Sequence, residues 1–226
     1  MKWDLEFKTK LLLGLFVASL IAANLIGGKI TQFWFIQVSV GIFAYPITFL
    51  ITDAVEEVHG KEKTKTFIWV GFICMLFVLL ITAMAVKLPF AARSYVQADQ
   101  YNPVFGMSLR FFIASITAFL ISQMHDVWAF NFWKQKTHGK FLWLRNNAST
   151  IVSQLIDSVL FMFIALYYVP WLPKILNTSP KFNVAYLFTL IVPYYLLKVV
   201  VALADTPFVY LLTFWLRGSV KEPKKK

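Results

Sequence analysis

Apolar runs of bilayer length, broken by short charged or proline-bearing turns, constrain this chain more than any other feature. They fall at 11–26, 33–58, 66–86, 108–133, 142–171 and 183–215. About 20 mostly apolar residues cross a bilayer as a helix, and helix is required there because lipid offers the backbone no hydrogen-bond partners. The expected fold class is therefore an all-α integral membrane protein with six transmembrane helices. The first run could also be read as a signal peptide, but it is long, lacks a clear A-x-A cleavage site and leads directly into another run, so it is read as a span. Pro46 should bend the second span, and Pro193 and Pro207 should kink the last, which exceeds the length a bilayer requires.

Charge separates a membrane protein from a nucleic-acid binder. The formal net charge is +11, yet only 15% of residues are charged and 59% are hydrophobic, whereas soluble domains carry about a quarter charged residues. The basic groups sit at the ends of apolar runs and form no contiguous patch, which excludes nucleic acid as a partner and makes the lipid bilayer the surroundings. Fifteen of the 22 lysines and arginines lie in the N-terminal arm, the turn after the second span, the turn after the fourth and the C-terminal tail. By the positive-inside rule both termini are cytoplasmic. Residues 1–10 are then a basic cytoplasmic arm, 11–216 the six-helix domain and 217–226 a basic cytoplasmic tail. Such a protein resides in the cell (inner) membrane as a multi-pass chain. Cys74 is the single cysteine, so neither a disulfide nor a thiolate metal site can form within one chain.

Polar residues inside the spans mark the interior. An ionised carboxylate at the bilayer centre costs at least about 2.5 kcal/mol and persists where it faces protein and a task. Ser153-Gln154-x-x-Asp157 repeats Ser122-Gln123-x-x-Asp126 from the preceding span, and the three-residue spacing puts each amide and its carboxylate on one helix face. Asp126, Asp157 and Asp205 all fall roughly 10 to 16 Å from the cytoplasmic helix ends at ~1.5 Å per residue, which predicts one shared cavity. Asp53 and Glu57 share a face of the second span, while Glu56, turned away from Glu57, is expected at the water interface. Lys198 and Asp205, seven apart, are expected to support each other; Arg110 and Lys198 could instead neutralise Asp126 or Asp205. Tyr45 and Asn24 are candidate cavity liners. Arg145 and Asn146 sit at a helix start, followed by Ser149.

Function classes can now be thinned. His59, His125 and His138 form no H-x-x-x-H ligand pair and no G-x-G-D is present, which argues against a metalloenzyme or an intramembrane aspartyl protease. Nothing resembles a selectivity filter. No metal or cofactor is called for. A purely structural protein would not need several in-span carboxylates and a lysine, so a carrier for a small polar solute remains.

A specific resemblance then emerges. Tyr45-Pro46-x-Thr48-Phe49 followed by Thr52-Asp53-x-x-x-Glu57-x-x-Gly60-Lys61 resembles the second-helix signature of the VUT family of queuosine precursor transporters. Ala114-Ser115, Gln123-x-x-Asp126, Arg145-Asn146-x-x-Ser149-Thr150, Gln154-x-x-Asp157, Lys198, Asp205-Thr206-Pro207 and Tyr210 agree with it in order along nearly the whole chain. His59 and Thr64 depart from it. The resemblance implies uptake of a 7-deazaguanine base, the 7-cyano or 7-aminomethyl precursor or queuine. A guanine-like edge carries two parallel donors that one carboxylate can accept, and an amide such as Gln123 or Gln154 can serve the carbonyl. Asp157 and Asp126 are expected to read that edge. The alternative is a substrate-binding membrane subunit of an ATP-driven vitamin-type importer, docking through the small-residue stripe Gly14, Ala18 and Ala22, although intramolecular packing is the expected use of that stripe. A homo-oligomer is compatible with the sequence, which marks no dimer face.

Overall fold

The computed structural model describes residues 3–33, 36–106, 108–167 and 184–218, the side chains of 33, 36, 37, 103, 106 and 108–110 excepted. The C-terminal residues 219–226 and the segment 168–183, with Trp171, Lys174 and Lys181, lie outside this description, as does the side chain of Arg110.

Helix α1 (Leu5–Ile26) begins six residues before the apolar run, because Asp4 caps it by accepting the Phe7 N–H at 2.8 Å. Part of the expected basic arm is thus helical. Its polar residues are satisfied internally: Lys8 donates to the Trp215 carbonyl and lies over the Trp215 ring, and Thr9 Oγ1 meets His59 Nε2 at 3.0 Å.

The second segment corrects the expected single helix over 33–58. An antiparallel hairpin, β1 (Ile30–Phe33) with β2 (Ile36–Ser39), leads through a 3₁₀ turn (Val40–Phe43) into α2 (Tyr45–His59). In β2, Gln37 and Ser39 alternate with Ile36 and Val38 at a period of two, which the overall hydrophobicity of the stretch conceals. Pro46 does not interrupt a helix but occupies the first turn of one, where its missing N–H is no loss. Ser39 Oγ donates to Gly27 O at 2.7 Å and accepts from Gly41 N at 3.2 Å, fastening the hairpin to the end of α1.

Helix α3 (Lys61–Lys87) follows Gly60, whose φ of 82° suits a residue without Cβ. After α4 (Ala98–Tyr101) and a π turn (Asn102–Gly106) come α5 (Ser108–Lys136), α6 (Leu142–Leu166) and α7 (Val184–Arg217). Helix α5 ends in a Schellman arrangement: His138 N donates to Gln135 O, Gly139 N to Lys134 O, and His138 stands at φ 49°. The connection between the fourth and fifth apolar runs therefore shrinks to 137–141, and Lys134 and Lys136 are helical residues, as are Arg145 and Asn146. Helix α7 runs through both Pro193 and Pro207.

Among the described residues, five helices are long and apolar enough to cross a membrane: α1, α3, residues 111–136 of α5, α6 and α7. The 15-residue α2 is shorter than the ~20 residues a bilayer asks for. The protein is an all-α membrane protein apart from its small hairpin. Leu12, Phe16 and Leu20 of α1 pack on Ile51 and Val55 of α2, Phe67, Ile68 and Met75 of α3, and Phe119 of α5. A Cβ on Gly71 would come within 2.7 Å of Phe16 and 2.8 Å of Leu20, so this glycine sets how closely α3 approaches α1. Gly14 and Ala18 face outward while Ala22 is half-buried, so the first two members of the small-residue stripe do not pack within the chain. Ile73, Phe77 and Leu80 on α3 and Val200 and Phe214 on α7 are also exposed, as lipid-facing residues are.

Candidate functional site

The polar interior lies where α2, α5, α6 and α7 meet. Along α6, Asn146, Ser149, Thr150, Ser153, Gln154 and Asp157 are all buried, at spacings of three and four that make one continuous inward face. On α5, Ser122, Gln123 and Asp126 are buried as well. The turn at 137–141 makes the two helices antiparallel neighbours, so the twin S-Q-x-x-D patches both enter the same interior.

Asp157 is the best-connected group in it. Lys198 Nζ of α7 lies 2.7 Å from its Oδ2, the Tyr45 hydroxyl of α2 donates to Oδ1 at 2.7 Å, and Ser122 Oγ of α5 lies 3.5 Å from Oδ1. The Lys198 ammonium also sits over the rings of Tyr45 and Tyr194, 5.3 and 4.9 Å from their centroids. Lys198 thus pairs with Asp157 rather than with Asp205, seven residues away on its own helix. Helix α6 starts at Leu142, which puts Asp157 about 22 Å along it, deeper than the expected 10 to 16 Å. Arg110 stands sixteen residues before Asp126 on α5, about 24 Å along the axis, too far to neutralise it.

Beside this hub is a cavity of about 20 Å³, lined by Tyr45, Phe49, Asp53, Asn146, Thr150, Gln154, Tyr194, Lys198 and Asp205 together with apolar residues. That volume holds about one water, so the conformation described is contracted and a ring-sized solute enters only if the walls part. Three of its buried acceptors, Asp53 Oδ1, Asn146 Oδ1 and Gln154 Oε1, have no hydrogen-bond partner in the protein. Buried polar atoms are rarely left so, and three on one cavity wall point to a solute rich in donors.

Behind the cavity wall, Asp53 faces Asp126 within hydrogen-bonding range; the hydroxyls near Asp126 are engaged elsewhere, Ser149 donating to Asn146 O at 3.2 Å and Ser153 to Ser149 O at 2.9 Å, and Asp126 Oδ1 has no partner in the protein. Thr150 donates to Asp53 Oδ2 at 3.2 Å. Glu56 is 2% exposed and turned toward Asp126, which corrects its expected place at the water interface. Being three residues from Asp53, it lies on the same helix face, a spacing that pointed inward as plainly as the four residues from Asp53 to Glu57. Glu57 has a different office: it binds Arg145, Lys134 and Arg217.

The structure thus brings Tyr45, Asp53, Asn146, Gln154, Lys198 and Asp205 to one cavity. Asp157 touches it through Tyr45 and Lys198, and Asp126 and Ser149 stand behind Asp53. Gln123 is fully buried, with neither amide atom partnered in the protein. Asn24 lies elsewhere, its amide donating to Leu20 O at 2.9 Å and contacting Met75 Sδ at 3.7 Å. Tyr194, Thr150 and Phe49 are liners that in-span charge could not single out, since their residue types are ordinary in apolar helices.

An all-α, multi-pass membrane protein with a charged, partly unsatisfied interior belongs to the class of solute carriers. Residues 39–212 match the family described as "Putative vitamin uptake transporter", and the chain belongs to that family. It is 29% identical over 206 residues to a Bacillus subtilis protein named "Probable queuosine precursor transporter", covering 88% of this chain and 82% of that one. It is also 27% identical over 134 residues to the Escherichia coli "Queuosine precursor transporter", covering 58% of this chain and 56% of that one. No solved structure matches the fold. The chain is therefore a transporter rather than an enzyme.

Proposed function

We propose that this protein imports a queuosine precursor base, 7-cyano- or 7-aminomethyl-7-deazaguanine or queuine, across the cytoplasmic membrane to supply tRNA modification. The observation that carries the reading is the acceptor-rich cavity wall. A guanine-like edge presents N1–H and an exocyclic amine side by side, which suits a carboxylate such as Asp53 with the Asn146 and Gln154 carbonyl oxygens close by. Tyr45, Phe49 and Tyr194 supply rings against which a flat heterocycle can stack once the walls part. The names of the relatives support the same solute class. The lysine and arginine bias supports an orientation with both termini and the 137–141 turn in the cytoplasm; a cysteine at Lys140 should then stay unlabelled by an impermeant reagent in intact cells.

The deciding experiment feeds each base separately to a strain that can neither make nor import queuosine precursors, with this chain as its sole carrier. Restored queuosine in tRNA supports the proposal, whereas its absence with all three bases at verified membrane expression overturns it. Uptake in a host without a partner transport ATPase separates a self-sufficient carrier from a subunit of an ATP-driven importer.

A further inference from the structure

Helix α2 carries two acidic side chains, Asp53 and Glu56, that are 2% exposed, and α5 presents Asp126, 1% exposed, against them. Among the described residues no lysine, arginine or histidine lies within 4 Å of any of the three, although all six ion pairs found elsewhere are that short. The charges on the neighbouring helices are committed elsewhere or act from a distance. On α2, Glu57 is engaged by Arg145 of α6, Lys134 of α5 and Arg217 of α7. Lys198 of α7 is committed to Asp157 of α6, and Asp205 of α7 lies on the cavity wall. Lys134 and Lys61 act on Glu56 from a distance. His125 meets the Ser153 hydroxyl at 2.9 Å, and that hydroxyl donates to Ser149 O.

Two carboxylates within hydrogen-bonding range, dry and without a cation, cannot both be ionised: one must carry a proton and donate it to the other. This pair is also placed to exchange that proton. Asp53 forms part of the cavity wall together with the buried Asn146 and Gln154, whose carbonyl oxygens no protein group satisfies. Behind it stands Asp126, whose Oδ1 has no partner in the protein, while the Thr150 hydroxyl donates to Asp53 Oδ2. A donor-rich solute at Asp53 favours its carboxylate form and leaves the proton on Asp126.

We propose that Asp53 and Asp126 form a proton-binding site, and that the proton they share travels with the solute, making this carrier a proton symporter. This rests on the transport reading above for its second half only, since the shared proton exists without solute. Infrared spectroscopy of the purified full-length carrier at neutral pH should show a protonated-carboxyl C=O band. A component of it should vanish in both Asp53→Asn and Asp126→Asn but persist in Glu56→Gln. No such component, or one lost only in Glu56→Gln, overturns the proton site. In vesicles, an outside-acid gradient should drive accumulation of the labelled base well above equilibrium, and a protonophore should return the ratio to about one. In Asp126→Asn, a permanent stand-in for the protonated acid, whatever counterflow exchange is left should show a flattened pH profile, and accumulation should fall to that same ratio of one. Exchange by the wild type without gradient-driven accumulation overturns symport while leaving the transport reading intact. A band that behaves as expected with no exchange of any base supports the proton site and overturns the transport reading instead.

Discussion

Glu57 and the pair Asp53 and Glu56 sit within two turns of one another on α2, yet the structure treats them oppositely. Glu57 receives Arg217 on Oε1 at 2.7 Å and Arg145 and Lys134 on Oε2 at 2.9 and 3.2 Å, so one carboxylate ties α2 to α5, α6 and α7. Asp53 has the Thr150 hydroxyl and Asp126 opposite, Glu56 Oε1 has no partner in the protein, and none of the three has a cation within ion-pair distance among the described residues. A buried charge with full partners is a structural joint; the same charge without them destabilises the fold unless a ligand or a proton completes it. The contrast separates the charges that hold the helices together from those that are available to work. Asp157 belongs with Glu57 in this respect, since Lys198 and Tyr45 already occupy both of its oxygens.

The largest effect should come from breaking a closed joint. Lys198→Met leaves Asp157 buried with no cation, which should cost about 3 to 5 kcal/mol, read as a fall in thermal stability in detergent. Adding Asp157→Leu should recover much of the loss; strictly additive losses would mean that the two charges do not support one another. Arg145→Met should behave similarly through Glu57, because Arg145 is the one partner of that carboxylate that is itself fully buried, at 1% side-chain exposure.

Somewhat smaller and opposite in kind is Asp53→Asn. It swaps an acceptor for a donor facing the solute, worth roughly 2 to 4 kcal/mol, or about 30- to 1,000-fold in uptake. Stability should hold or rise as an uncompensated charge is removed. Uptake of labelled base at equal membrane expression, alongside the melting temperature, makes the comparison, and a variant that melts early yet transports normally would reverse the roles assigned to the two clusters. The smallest effect belongs to Arg217→Ala: that side chain is 58% exposed, and exposed pairs contribute under about 1 kcal/mol. A loss as large as that of Arg145→Met would show that the Glu57 joint depends on its outer partner too.

Much of this was legible from residue order alone. Apolar length determined the membrane class, since no soluble fold accommodates such runs, and the S-Q-x-x-D repeat with Asp53, Lys198 and Asp205 determined which helices turn polar faces inward. The hairpin at Ile30–Ser39 was hidden because a short apolar stretch reads equally well as strand or helix until its pairing partner is known.

Pairing among the charges was decided only in three dimensions. Spacing along one helix offered Asp205 to Lys198, but tertiary packing put Asp157 of the neighbouring helix 2.7 Å away. Spacing likewise sent Glu56 to water, and the packing of α5 against α2 enclosed it beside Asp126. Helical periodicity states which face a residue occupies but carries no information about what another helix brings to that face. Whether a buried carboxylate is a joint or a working group depends wholly on that second element, and so it was the fold, not the residue types, that distinguished Glu57 and Asp157 from Asp53 and Asp126.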